Sequence, residues 1–337
     1  MAKLEQGPNG LAARRNLLKS AAGAAIVFQQ LPIFAQDSYP AKQITVVLPY
    51  AAGGPTDVAV RVIVKRMSEE LKQSVVVENK PGGGAIIGSA AVARANPDGY
   101  TLLTGVLASL VTNPLLRSKP PYDADTAFEP ISMIAANPLV LVASKTSGIQ
   151  NFKDFIGRAR AEPGKIAVAS YGVGTPSHLA IELLKSSAGI DVIHVPYNGS
   201  APAMVDVRGG RIPALMDILP SQIKTIEAGE VVGLALGQGM RSSLAPMVPT
   251  FAEIGVVDFE ALTWFGLVAP AKTPQVIISQ LNRVMRVALN DPLTQKALNN
   301  MGMEPRWTTP QDYRDTIRGD INKWRDVIKR SKIPLQD

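Results

Sequence analysis

Ile44-Thr45-Val46-Val47-Leu48-Pro49-Tyr50-Ala51-Ala52-Gly53-Gly54-Pro55-Thr56-Asp57 joins an apolar run to a glycine pair, a proline and two polar residues. The run has the length and β-branched content of a buried strand. Beyond it the spacing predicts a helix over 57–71, with Val58, Val62, Met67 and Leu71 turned inward. At the junction, Gly53 and Gly54 permit positive φ and leave room for a ligand to touch the backbone. Pro55 gives up an N–H that a helix start leaves unpaired anyway, and Thr56 or Asp57 can cap. The chain then says nearly the same thing again: Ser170-Tyr171-Gly172-Val173-Gly174-Thr175-Pro176-Ser177-His178 follows an apolar run over 166–169. Each turn aims backbone N–H groups and the positive end of a helix dipole at one point. The two lie too far apart for a single β-α-β unit, which predicts two lobes facing each other across an anion.

Outward from these units, strands are predicted at 75–78 and 100–104 and a helix at 88–95, closed by the turn Asn96-Pro97-Asp98-Gly99. The alternation restarts with helices over 152–161, 177–187, 201–208 and 220–228, and strands over 192–195, 214–217 and 231–235. Such alternation indicates an α/β fold with mixed, mostly parallel sheets. Two apolar segments, 131–143 and 262–269, are long enough to cross between lobes. Amphipathic helices over 274–289, 292–301 and 310–331 follow. Two crossings predict a discontinuous outer lobe, residues 36–138 with 263–337, and an inner lobe, residues 139–262.

The segment 1–35 reads as an export signal: Arg14-Arg15-Asn16-Leu17-Leu18-Lys19, an uncharged stretch, then Ile33-Phe34-Ala35. The paired arginines look like the twin-arginine pattern, with a Sec signal as the alternative. The apolar core falls short of the ~20 residues that span a bilayer. None of the 337 residues is cysteine, which excludes disulfides, thiol catalysis, cysteine metal sites and a lipidated cysteine. Cleavage near Ala35 therefore predicts a soluble protein of the periplasm. The net charge is +7, and Lys3, Arg14, Arg15 and Lys19 against Glu5 place +3 of it in the signal. The other basic residues are scattered without interleaved aromatics, which argues against nucleic-acid binding.

A third strand-to-helix junction, Val195-Pro196-Tyr197-Asn198-Gly199-Ser200-Ala201-Pro202, offers neutral donors at Tyr197, Asn198 and Ser200, with Ser200 expected to cap the helix. Asp217 ends a strand, where it can receive a ligand donor or cap the next helix; the cap is the favoured reading. His178 lies in a first helical turn, where it can donate to a carboxylate; with nothing basic or acidic flanking it, a satisfied structural histidine is the favoured reading. His194 is expected to be buried or at an edge. The chain has two histidines, no HExxH pattern and no cysteine, so no metal site is expected. Glycine runs at 53–54 and 82–84 match neither the Walker pattern nor the dinucleotide fingerprint, which leaves no cofactor to expect. No G-x-S-x-G elbow and no acid pair beside a glycine turn supports an enzyme.

Several motifs fall in order: Pro49-Tyr50-x-x-Gly53-Gly54-x-x-Asp57, Val77-Glu78-Asn79-Lys80-Pro81-Gly82, Pro97-Asp98-Gly99-Tyr100-Thr101-Leu102 and Val195-Pro196-Tyr197-x-Gly199. Arg241, Pro249-Thr250-x-x-Glu253-x-Gly255, Ala269-Pro270-x-x-Thr273-Pro274 and Lys323-Trp324 continue the series. Together they resemble the solute receptors of tripartite tricarboxylate transporters, the TctC or Bug (Bordetella uptake gene) family, over essentially the whole chain after the signal. The resemblance implies a two-lobed, periplasmic-binding-protein-like "Venus flytrap" that closes on a small carboxylate, with no catalysis. It implies ligand-binding loops at Tyr50, Gly53, Gly54, Thr56 and Asp57 on one lobe. On the other it implies Ser170, Gly172, Gly174, Thr175 and His178, with Tyr197, Asn198, Gly199, Ser200 and Asp217. It also implies a monomer that docks on two membrane subunits. Family members often carry Phe at position 50 and a basic residue at 198, so Tyr50 and Asn198 are departures. A ligand-presenting sensor for a membrane kinase and a periplasmic hydrolase or isomerase are the alternative readings. The carboxylate itself stays open.

Overall fold

The computed structural model describes Ala2, residues 39–257 and residues 259–335; apart from Ala2, the predicted export signal and its cleavage point lie outside the described residues. The chain divides into two compact units, Met1–Tyr39 and Pro40–Asp337, and every element below belongs to the second. In order these are β1 (Ile44–Leu48), α1 (Pro55–Leu71), β2 (Val75–Asn79), α2 (Ile86–Ala93) and β3 (Thr101–Val106). A π-helix Ala108–Thr112 and one helical turn Asn113–Leu115 precede β4 (Phe128–Ser144). Then come α3 (Phe152–Ala161), β5 (Ala167–Ser170), α4 (Pro176–Ala188), β6 (Ile193–Pro196), α5 (Ser200–Arg208), β7 (Ala214–Ile218), α6 (Leu219–Glu227) and β8 (Val231–Leu236). The chain finishes with β9 (Leu262–Pro270), α7 (Gln275–Asn290), α8 (Pro292–Asn300), β10 (Glu304–Pro305) and α9 (Pro310–Arg330).

The strands follow one hydrogen-bonded path, β2-β1-β3-β9-β4-β7-β5-β6, with β8 and β10 also on β4. β1 runs parallel to β2 and β3, and β5 parallel to β6 and β7, at the two ends. Between them β4 and β9 run antiparallel to their neighbours. β4 is 17 residues long, well beyond the ~5–6 of an ordinary strand, because it pairs with β9 along its first part and with β7 and β8 along its last. Up to Pro138 it pairs with β9 (Pro138↔Leu262), and from Leu139 with β7 and β8 (Leu139↔Ile218, Val140↔Leu236). The exchange of partners falls on a proline, which has no N–H to give to a ladder.

In α1 the structure corrects the expected helix face. The buried residues are Asp57, Ala59, Val60, Ile63, Val64 and Met67, whereas Val58 is 44% exposed. At about 100° per residue, Val58 and Val62 fall on the face opposite Met67 and Leu71. Val60, Ile63, Val64 and Met67 keep the i, i+3, i+4, i+7 spacing that one buried stripe requires. α9 starts at a capping box of Thr309 and Asp312 and buries Tyr313 and Trp324 completely. The Trp264 indole N–H of β9 donates to Asp320 of α9 at 2.7 Å, tying the last helix to a crossing strand.

Candidate functional site

The first glycine turn is braced from inside. Gly53 takes φ +84°, which favours glycine. Gly54, the N-cap of α1, has φ −74°, which any residue adopts, so only Gly53 of the pair needs to be glycine. No side chain caps α1. Instead Asp57 reaches back and accepts the Gly53 N–H at 3.0 Å, while Arg61 Nε (2.9 Å) and Asn79 Nδ2 (3.0 Å) donate to it. Asn79 Nδ2 also donates to the Tyr50 carbonyl at 3.1 Å. The hydrogen bond from Arg61, helped by those from Gly53 and Asn79, brings the Asp57 carboxyl down to about 2 against the upward pull of burial. Asp57 shapes the loop and does not face the space beyond it.

The second turn is braced in the same way. Thr175 caps α4, accepting the His178 N–H at 3.4 Å, and its hydroxyl donates to the Gly172 carbonyl at 2.7 Å. His178 Nδ1 accepts the Gly174 N–H at 3.1 Å. Its ring stacks on His194 with centroids 3.9 Å apart, and His194 Nε2 lies 2.6 Å from Ser170 Oγ. His178 is therefore buried behind the loop. In the third junction, Tyr197 donates to Asp206 at 2.7 Å, Arg211 pairs with the same carboxylate, and Asn198 is exposed. Ser200 is the first residue of α5 and not its cap; the cap is Gly199, at φ +112°. The Ser200 hydroxyl donates to Asp217 at 2.8 Å. Asp217 is fully buried and also accepts from the Ile218 N–H (2.8 Å) and Gln222 Nε2 (2.6 Å). It does not cap α6, whose N-cap Ile218 makes no side-chain bond. Burial raises its carboxyl above the ordinary range, and the bonds from Ser200, Ile218 and Gln222 offset part of that rise.

These loops surround a cavity of about 800 Å³. Pro55 and Thr56 of α1, Thr175 and Pro176 of α4, Gly199 and Ser200 of α5, and Pro220 and Ser221 of α6 all stand on its wall. Four helix starts thus open on one space. Of the residues singled out from sequence, Tyr50, Thr56, Gly174, Thr175, Gly199 and Ser200 line it, and Gly53 lines an adjoining depression. Gly54, Asp57, Ser170, Gly172, His178, Tyr197, Asn198 and Asp217 are not on the wall. Sequence reasoning missed Ala108 and Thr112 of the π-helix with Leu107 and Asn113 flanking it, and Asn137, Thr263, Trp264 and Phe265 on β4 and β9. The π-helix carries no glycine, proline or charge to mark it. Asn137 did leave a signal, as an amide in an otherwise apolar crossing run. Thr112 Oγ1 and Asn137 Oδ1 are buried without a hydrogen-bond partner among the described residues, capacity that a ligand or water can take up.

No residue lining the cavity is charged. Positive potential comes instead from the helix starts, each equivalent to about half a unit charge. Burial pushes the Tyr50 phenol up to about 12 and Tyr171 well above its ordinary value. Both phenols therefore stay neutral near pH 7. Leu107, Trp264, Phe265, Met301 and Met303 contribute apolar surface to the same wall. Among the described residues no cluster of His, Asp and Glu could hold a metal ion, and no helix is long and apolar enough to cross a membrane.

The stacked histidines predict a pH response. Burial lowers both imidazoles from 6.5 to about 4, with Lys185 adding to the effect on His178 and His178 to that on His194. Between those values the unfolded chain binds protons that the folded protein refuses, so stability falls as the pH is lowered from 6.5 towards 4. The thermal midpoint should drop across that window, and drop less in His194→Gln. A midpoint that stays flat in the parent protein would show that the pair does not resist protonation.

A family model described as "Tripartite tricarboxylate transporter family receptor" matches residues 59–333. The chain is 35% identical to Protein BugT of Bordetella pertussis, over 89% of this chain and 92% of that protein. It is similar to a solved structure described as "R. palustris Rpa4515 with adipate", at 34% identity and TM-score 0.74, covering 88% of this chain and 99% of the other. It is also similar to MatC (Rpa3494) from Rhodopseudomonas palustris with bound malate, at 29% identity and TM-score 0.70, covering 86% and 100%.

Proposed function

Because this chain belongs to the TctC family of tripartite tricarboxylate transporter receptors, we propose that it captures a small carboxylate in the cavity between its lobes and delivers it to membrane subunits of such a transporter. One observation carries the reading: four helix starts open on a cavity that Tyr50 and Tyr171 also line and that has no charged side chain on its wall. N–H donors to an ionised acceptor in a desolvated site form strong hydrogen bonds, so an anion is held without an arginine. The adipate and malate bound to two similar proteins favour a carboxylate over phosphate. In this reading residues 36–138 with 263–337 and residues 139–262 close on the ligand about the crossing strands at Pro138 and Leu262. In this reading residues 1–35 act as an export signal that directs the receptor to the periplasm, and the bound ligand leaves unchanged.

Thermal unfolding against a panel of mono-, di- and tricarboxylates tests the reading. A true ligand at a hundred times its Kd should stabilise the protein by about 2.7 kcal/mol, and chromatography of the incubated mixture should return it intact. If no carboxylate raises the midpoint, the proposed ligand class is wrong. Appearance of a product would instead indicate an enzyme. Delivery is tested separately, by loss of uptake of the identified ligand in cells lacking this chain.

A further inference from the structure

We infer that Ser200 acts as a hydrogen-bond acceptor towards the ligand, and that the receptor therefore favours a carboxylate bearing a hydroxyl close to its carboxyl group. The inference rests on the cavity being the carboxylate site.

A serine hydroxyl has one proton and two lone pairs. Here that proton points away from the cavity, to Asp217 Oδ1 at 2.8 Å. Asp217 is fully buried, and its other two partners, the Ile218 N–H and Gln222 Nε2, are also donors. Three donors converging on one carboxyl group suit an ionised carboxylate, which can only accept. Ser200 lines the cavity, and its hydroxyl is left with acceptor capacity alone. It is also the first residue of α5, so an anion held at that helix start lies within a bond or two of it. A bare carboxylate oxygen there would meet a lone pair. A hydroxyl on the neighbouring carbon would instead donate to it.

An ammonium group could donate in the same way. The wall carries no acidic side chain and four helix starts, so a cation is disfavoured where a neutral hydroxyl is not. Asp217 acts only through Ser200, as a positioning residue.

Succinate, malate and aspartate differ at a single carbon and separate these cases. Titration calorimetry of the parent protein should give malate about 10-fold tighter binding than succinate, the order expected of one well-placed hydrogen bond, with aspartate weakest. Ser200→Ala should bring the malate-to-succinate ratio close to one. Asp217→Ala frees the Ser200 proton for a ligand carboxylate and should lower the same ratio, provided circular dichroism shows the variant folded; the Ser200→Ala arm decides if it is not. A ratio near one in the parent, or an unchanged ratio in Ser200→Ala, overturns the inference and leaves the carboxylate reading standing. An aspartate preference replaces the hydroxyl with an ammonium and also overturns it. Absence of binding by all three and by every other carboxylate overturns both.

Discussion

Replacing Gly199 by valine is expected to lower carboxylate affinity about 30-fold while the protein stays folded. Gly199 sits at φ +112° directly before α5, in a region that β-branched residues do not adopt. A Cβ there meets nothing within 4 Å, so the substitution introduces backbone strain and no clash. Such strain amounts to about 1–3 kcal/mol. The loop can relieve it by rotating the peptide that carries the first N–H of α5 away from the cavity. Binding must then restore the strained form, and about 2 kcal/mol of strain corresponds to roughly 30-fold in affinity. Gly54→Val is the matched control, because φ at Gly54 is −74°. Calorimetry with the best carboxylate from the panel measures both. A Gly199→Val affinity within twofold of the parent would show that the aim of this backbone does not hold the ligand.

A single methyl group at position 266 should destabilise the whole molecule, by about 3 kcal/mol or more. Gly266 of β9 lies between β3 and β4, opposite Gly105 and Met133. A Cβ built on it would overlap the Ser132 carbonyl oxygen, lie 2.7 Å from Met133 Cα and come within 2.9 Å of the Tyr313 ring. The first two are backbone atoms of a paired strand and cannot rotate aside. Tyr313 is fully buried, so its ring has no free space to enter. Urea denaturation of Gly266→Ala should show the midpoint falling with little change in slope. A loss below about 1 kcal/mol would mean that the crossing strands separate easily.

Elements with local chemistry were legible. The two glycine turns announced helix starts because glycine, proline and hydroxyl residues act on the backbone within a few positions of themselves. The strands β4 and β9 were visible as the apolar runs at 131–143 and 262–269. The inward face of α1 was misread because Val58, Val62, Met67 and Leu71 are all apolar, and only angular spacing separates them. In the site, Thr175 could be placed from its neighbours, since the residues it caps are three positions away. Asp57 could not, because Asn79, which shares its carboxylate, comes from the next strand. His178, for which a structural role was the favoured reading, has its ring taken up by His194 and Gly174.

By itself the sequence determined that strand–glycine–helix units exist, that they recur along the chain, and that apolar strands lie at 131–143 and 262–269. Such features depend on backbone geometry and hydrophobic period, which are properties of short stretches. The tertiary structure alone decided which polar atoms remain for a ligand. Each donor or acceptor satisfies only a few partners, and the partners that claim Asp57, His178, Tyr197 and Ser200 include residues from other elements. A hydroxyl at position 200 is written in the chain, but the direction of its proton is set by Asp217, buried on β7.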